Sequence, residues 1–184
     1  MLKSKIILLF IAAACSFAAC KTDPAYDQAT QAAIDDGIIK KFLADSNIVA
    51  GKTPDGLYYQ VIKQGTGTSD IVYNPTDTIK LRYVGRTLPP KSIVYDSTLT
   101  LIDSLAPIFI YNTAMIGWQE GLKFIRPGGT IRLIIPSTLA YQNTVVSALP
   151  GANNTPVFLP ANTILDFRIK LISVKKVIPP KTSN

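Results

Sequence analysis

Residues 115 to 141, MIGWQEGLKFIRPGGTIRLIIPSTLAY, contain no histidine, no cysteine and one carboxylate, Glu120, among many aromatic and aliphatic side chains. Nucleophilic, metal-assisted and histidine acid–base chemistry all lack their usual groups there. Such a stretch can act only by presenting an apolar surface that holds something. The rest of the chain agrees: it has no histidine at all, and its two cysteines, Cys15 and Cys20, both lie near the start. No metal site and no cofactor are expected.

The cysteines belong to a leader. In MLKSKIILLFIAAACSFAAC, Lys3 and Lys5 precede an apolar run from Ile6 to Ala19 that is broken only by Ser16. That run of 14 residues is short of the roughly 20 needed to span a bilayer, so it predicts a removable export signal over residues 1–19. Its end, Phe17-Ala18-Ala19-Cys20, resembles a bacterial lipobox, although Phe17 departs from the usual aliphatic residue. Cleavage before Cys20 leaves a polar mature start, whereas cleavage before Cys15 would leave SFAAC; Cys20 is therefore the expected lipidation site. An anchor of more than one acyl chain holds a protein stably at a membrane. The expected location is the cell envelope, on a bacterial membrane and most consistent with the outer one. Loss of Lys3 and Lys5 leaves 17 basic against 12 acidic side chains, a net charge of +5. That modest charge suits solubility and attraction to anionic surfaces, and no nucleic-acid partner is expected.

The elements that would position an apolar site can be read from periodicity. Residues 20–52 form a tether followed by a helix, in which Ile34, Ile38, Ile39, Phe42 and Leu43 recur at helical spacing between about Asp27 and Ala44. This amphipathic helix packs either on its own domain or on a second copy, which would make a homodimer through residues 27–44. From Leu57 onward the period becomes two. In DTIKLRYVGRT, Ile79, Leu81 and Tyr83 alternate with Lys80 and Arg82, and in TILDFRIKLISV, Leu165, Phe167, Ile169 and Leu171 alternate with Asp166, Arg168 and Lys170. LYYQVIKQG, SIVYD, PIFIY and TIRLIIP supply further strands. Trp118, Leu122 and Ile125 mark a short helix that Pro127-Gly128-Gly129 stops. The expected class is α+β, an antiparallel sheet of about five or six strands wrapped around one short helix. The Asn- and Pro-rich segment from Gln142 to Pro160 lacks periodicity and is expected to be a long loop beside the site.

The ordered set YVGRTL, VYDST, GWQEGL, PGGTIRLIIPSTLAY and LPANTILDFRIKLISV resembles an FKBP-type peptidyl-prolyl isomerase over roughly Thr53 to Val177. The signal and helix resemble those of envelope-located members. The resemblance implies an isomerase domain at 53–177 and a tail at 178–184. It also implies proline-containing unfolded or folding polypeptides as partners. Rotation about an Xaa-Pro bond needs no nucleophile: a barrier of roughly 18 to 20 kcal/mol arises from amide resonance. A site can lower it by excluding water, gripping the ring and binding the twisted carbonyl more strongly than the planar one.

By motif, the resemblance assigns Trp118 to the pocket floor and Tyr83, Tyr95, Phe109, Met115 and Phe167 to its walls, with Phe158 or Leu159 on the loop side. Asp96 takes the place of the family's buried carboxylate and Tyr141 that of its substrate-facing hydroxyl. Taken singly, Trp118 and Phe167 fit plain core better, and only the ordered motif set reverses that; Tyr83 and Tyr141 taken singly fit amphipathic surface, and Asp96 fits a turn cap before Ser97 and Thr98. Tyr95, Met115, Pro107 or Ile108, and Gln142 depart from the family pattern. A noncatalytic holdase using the same groove is the competing function.

Overall fold

The structure is a computed structural model that describes residues 25–66, 72–98, 100–150 and 156–177. The leader, Cys15, Cys20 and the C-terminal tail lie outside the described residues. In chain order the elements are α1 (Gln28–Asp45), β1 (Gly51–Lys52), β2 (Tyr58–Lys63), β3 (Thr78–Thr87), β4 (Val94–Ser97), β5 (Ile108–Ile110), α2 (Ile116–Gly121), β6 (Thr130–Ile135), β7 (Val146–Pro150), β8 (Pro156–Leu159) and β9 (Leu165–Lys175).

The two strands with the cleanest alternation pair with each other. β3 and β9 run antiparallel from Thr78 opposite Lys175 to Thr87 opposite Leu165, with one register shift after Lys80. β9 pairs with β6 on its other side, so the sheet order is β1-β2-β6-β9-β3-β4, and β5 shares the outer edge of β3 with β4. Leu165, Phe167, Ile169 and Leu171 are all 2% exposed or less, forming the inner face with Leu81, Ile131 and Leu133.

Against this face lies α2, followed by a 3₁₀ turn at Leu122–Phe124. Its spacing works as expected: Trp118, Leu122 and Ile125 are buried together in the core. The helix approaches β6 closely because Gly117 and Gly121 face it. A β-carbon at either position would stand 2.5 Å from Ile135 or Leu133. A larger residue at either position would have to push aside the Ile135 or Leu133 side chain or the helix itself.

α1 covers one end of the outer face. Asp27 caps it by accepting hydrogen bonds from the backbone N–H of Ala29 and Thr30 at 3.0 and 3.3 Å. Lys40 pairs with Asp36 at 2.7 Å, one turn apart on the helix. Ile39 and Leu43 pack with Tyr58, Leu88, Ile134 and Ile164, so α1 sits on its own domain. Ile34 and Ile38, placed in the same stripe by spacing, remain 51% and 47% exposed. The third buried residue of α1 is Asp35. Its carboxylate accepts from the Ser137 N–H at 2.7 Å and hydroxyl at 2.6 Å, and from Gln31 Nε2 at 2.8 Å.

The segment from Gln142 to Pro160 differs from the expected loop. It carries an antiparallel ribbon of β7 and β8, with Val146 opposite Leu159 and Leu149 opposite Val157. The two arms pair only with each other rather than joining the main sheet, and the alternation of β8 runs over only 4 residues, too few to stand out in the sequence. The ribbon contacts β4.

Candidate functional site

Five aromatic rings carried by five separate elements converge on the inner face: Tyr83 from β3, Tyr95 from β4, Phe109 from β5, Trp118 from α2 and Phe167 from β9. Tyr83 is the hub, with ring centroids 4.9 Å from Trp118, 6.0 Å from Phe167 and 6.2 Å from Phe109. Trp118 meets Phe167 at 5.0 Å and 85°, Phe109 meets Trp118 at 5.5 Å and 88°, and Tyr95 meets Phe167 at 5.8 Å and 79°. Edge-to-face contacts of this kind are the favourable aromatic geometry, and they build a shaped cradle rather than a flat stack. Tyr95 and Phe167 lie deepest, 1% and 2% exposed, whereas Phe109, Met115 and Tyr141 are half-buried around the cluster.

The glycine of YVG has its reason here. A β-carbon at Gly85 would stand 2.6 Å from Phe167 Cε1 and 2.9 Å from both Cζ and the hydroxyl oxygen of Tyr95. The strand backbone itself is therefore part of the wall against which the two rings close.

The polar groups are few. The Tyr83 hydroxyl donates to Asp96 Oδ2 at 2.8 Å. Asp96 thus reaches into the cluster and is not occupied with a turn; Thr98 Oγ1 instead accepts from the Tyr83 N–H at 2.8 Å, fixing β3 to the end of β4. Burial pushes the Tyr83 phenol well above its usual value, reinforced by the hydrogen bond to Asp96, and burial and the Asp96 charge push Tyr141 the same way. Both hydroxyls are neutral donors at physiological pH. Tyr95, one of the departures from the family pattern, buries a hydroxyl that has no hydrogen-bond partner among the described residues, and Trp118 Nε1 is likewise buried without one. Burial raises the Tyr95 phenol further still.

Tyr141 follows a 3₁₀ turn at Ser137–Leu139, the turn that Asp35 of α1 anchors through Ser137. Gln142, at a position where the family favours glycine, adopts φ +54° and donates its N–H to the Ser137 carbonyl at 2.8 Å. The left-handed conformation explains that preference. Met115 precedes α2 and its carbonyl accepts from the Trp118 and Gln119 N–H groups at 2.9 and 3.0 Å, so it starts the helix that carries the tryptophan. The loop-side alternative divides along the alternation of β8: Leu159 turns inward at 1% exposed and Phe158 stands out at 62%. Asp35 was not legible as a supporting residue, because a carboxylate within AAIDDGII carries no sign of which neighbour will be buried. Among the described residues no three His, Cys, Asp or Glu side chains converge as a metal site.

The profile of the FKBP-type peptidyl-prolyl cis-trans isomerases matches residues 70–172. The chain belongs to that family. It is 32% identical over 136 residues to the FKBP-type peptidyl-prolyl cis-trans isomerase FkpA of Escherichia coli strain K12, a match covering 74% of this chain and 43% of that protein. It is 30% identical over 122 residues to the peptidyl-prolyl cis-trans isomerase Mip of Coxiella burnetii, covering 66% of this chain and 46% of that one. The chain thus spans less than half the length of these FKBP-type relatives. Among solved structures, FkpA from Escherichia coli superposes with a TM-score of 0.56 at 27% identity, covering 94% of this chain and 71% of that one. A peptidyl-prolyl isomerase from Pseudomonas syringae shares the fold, with a TM-score of 0.54 at 22% identity over 83% of this chain and 99% of that one.

Proposed function

We propose that the protein is a peptidyl-prolyl cis-trans isomerase that assists folding polypeptides at the bacterial cell envelope, held there by lipid on Cys20. The observation that carries the catalytic reading is the edge-to-face cradle of Tyr83, Trp118 and Phe167, with Tyr83 bonded to Asp96 and Tyr141 beside them. A proline ring seated on such walls loses water, and the planar amide loses the solvent hydrogen bonds that favour it. Neutral hydroxyls at the rim are suited to bond the twisted carbonyl. Lowering the barrier by about 5 to 6 kcal/mol corresponds to roughly 10⁴-fold in rate, which several modest contacts supply together. Asp96 and Tyr141 tune the carbonyl, and the aromatic side chains with Met115 and Leu159 shape the seat.

The same reading treats residues 1–19 as a signal, 20–52 as tether and helix, 53–177 as the isomerase domain and 178–184 as a tail. A homodimer through residues 27–44 would have to use Ile34 and Ile38, since Ile39 and Leu43 are buried on the chain's own sheet.

The test is a proline-isomerisation assay on short Xaa-Pro peptides with the purified chain beginning at Lys21. Acceleration that falls sharply in Trp118→Leu supports the reading; peptide binding without acceleration would replace it by a holdase. Location is tested separately by fractionating cells that express Cys20→Ser or Cys15→Ser. Release from membranes by Cys20→Ser is expected, and release by Cys15→Ser alone would overturn the assignment.

A further inference from the structure

Beyond the cover of α1, the outer face of the sheet opens into a groove of about 880 Å³ between β2 and β3. It contains none of the aromatic residues of the proline site. The alternation that turns Phe167 and Ile169 inward turns Asp166, Arg168 and Lys170 outward, together with Arg132 of β6 and Arg82 and Arg86 of β3. Strand register sets Arg132 directly opposite Arg168, and Lys170 directly opposite Arg82. Like charges at paired positions repel and lower stability.

The chain offsets only part of this. Asp166 takes two hydrogen bonds from Arg132, at 2.9 and 2.6 Å, and Asp103 takes Lys170 at 2.6 Å and Arg82 at 3.3 Å. Five cations therefore meet two carboxylates in this arrangement, and Arg86 and Arg168 are exposed with no ion pair among the described residues. Between them the floor is partly apolar, with Val84 buried and Ile62 42% exposed. On the side of α1, Phe42 lies under the Arg132 guanidinium at 5.6 Å.

We infer that this groove docks an acidic segment of another polypeptide, its carboxylates on Arg86, Arg168 and Arg132 and its aliphatic side chains on Ile62 and Val84. Charge selects the occupant. A second copy is itself cationic, net +7 for the full sequence and +5 without Lys3 and Lys5, and the chain's own ends outside the described residues are not acidic: residues 1–24 hold three lysines against Asp23, and residues 178–184 hold Lys181 and no acidic side chain. Shape argues against an anionic bilayer, because the Arg82 and Arg132 side chains are recessed, only 25% and 26% exposed. A flat surface would touch the rim and leave them, whereas a chain can enter. Such a partner would bind on the face opposite the aromatic cradle and leave that cradle open. The inference stands independently of the isomerase activity.

Fluorescence anisotropy of the full chain with a short, labelled, proline-free peptide of glutamate and leucine tests it. Binding is expected, weakening steeply between about 0.05 and about 0.5 M salt, and absent for the same peptide with glutamine in place of glutamate. The double variant Arg86→Glu, Arg168→Glu should bind at least about tenfold more weakly. Its unfolding temperature should stay close to the parent's, since Arg168→Glu removes the repulsion with Arg132 while Arg86→Glu sets a second carboxylate opposite Asp166. The milder Arg86→Gln, Arg168→Gln pair should fall between. Unchanged affinity in both variants, or no binding by the parent, overturns the inference. So does a preference for phosphatidylglycerol over phosphatidylcholine vesicles that depends on these arginines while the peptide fails to bind. Loss of isomerase activity on short peptides would bear only on the proline site.

Discussion

Replacing Tyr95 by phenylalanine removes a single oxygen from the deepest ring of the site. The ring is 1% exposed and meets Phe167 edge-on at 5.8 Å, contacts that phenylalanine keeps. The oxygen itself is buried and unpartnered among the described residues. Two effects oppose one another. An unsatisfied buried hydroxyl costs about 1 to 3 kcal/mol, which the substitution removes. The gap left behind is smaller than a methyl group, so its cost stays below about 1 kcal/mol. The first effect wins, and Tyr95→Phe should stabilise the protein by about 1 to 2 kcal/mol. At about 2 to 4 °C per kcal/mol for a chain of this size, Tm should rise by about 2 to 8 °C in thermal unfolding followed by circular dichroism. The proline site keeps its walls, so the isomerisation rate should change little. Gly85→Ala supplies an internal check. Its β-carbon would meet Phe167 and Tyr95 at 2.6 and 2.9 Å, costing about 1 to 3 kcal/mol of overpacking. Because one of those contacts is to the Tyr95 oxygen, the cost should shrink, without vanishing, when Tyr95 is already phenylalanine. A lower Tm for Tyr95→Phe would show that the hydroxyl is hydrogen-bonded in solution and refute the reasoning.

Tyr141→Phe and Asp96→Asn should each lower kcat/KM by about tenfold or less, while Trp118→Leu, which removes a ring in contact with Tyr83, Phe109 and Phe167, should cost more. Complete loss of activity in folded Tyr141→Phe would point to proton transfer instead. The rate should be nearly flat between about pH 6 and 8, since there is no histidine and both Tyr83 and Tyr141 are held above their usual range; a steep profile in that window would contradict catalysis by shape. Hydrogen bonds from Lys40, then Lys52 and Tyr58, hold Asp36 well below the usual 3.8. Its folded value lies below its unfolded one, so the stabilisation is fully present above about pH 4 and is lost as the pH falls through the lowered value. Asp36→Asn should therefore lower Tm at neutral pH, with the difference from the parent closing in acid; a gap that stays constant with pH would show that the charge is not responsible.

Legibility followed burial on one side. β3 and β9 could be read because each has one face in the core and one outside, which forces alternation, and the six-residue α2 with the 3₁₀ turn after it could be read because Trp118, Leu122 and Ile125 recur about one turn apart. β7 and β8 were hidden because they pair only with each other, and the choice between Phe158 and Leu159 waited on knowing that β8 existed. The site residues came from ordered motifs rather than from chemistry, and no periodicity joins Tyr83 to Asp96 or Asp35 to Ser137. Those partnerships, 13 and 102 residues apart in the chain, arise only when the sheet closes. The outward cations were each visible as the polar half of an alternation, but their crowding depends on register between β6, β9 and β3.

The position of β9 has a temporal meaning. It is the last strand of the main sheet in chain order and yet stands in its middle, between β6 and β3. During synthesis, every earlier strand is available before the one that joins the two halves. Until then β6 and β3 each keep a bare edge, and the aromatic cluster lacks Phe167. Such late, non-local closure makes folding slow and leaves sticky intermediates.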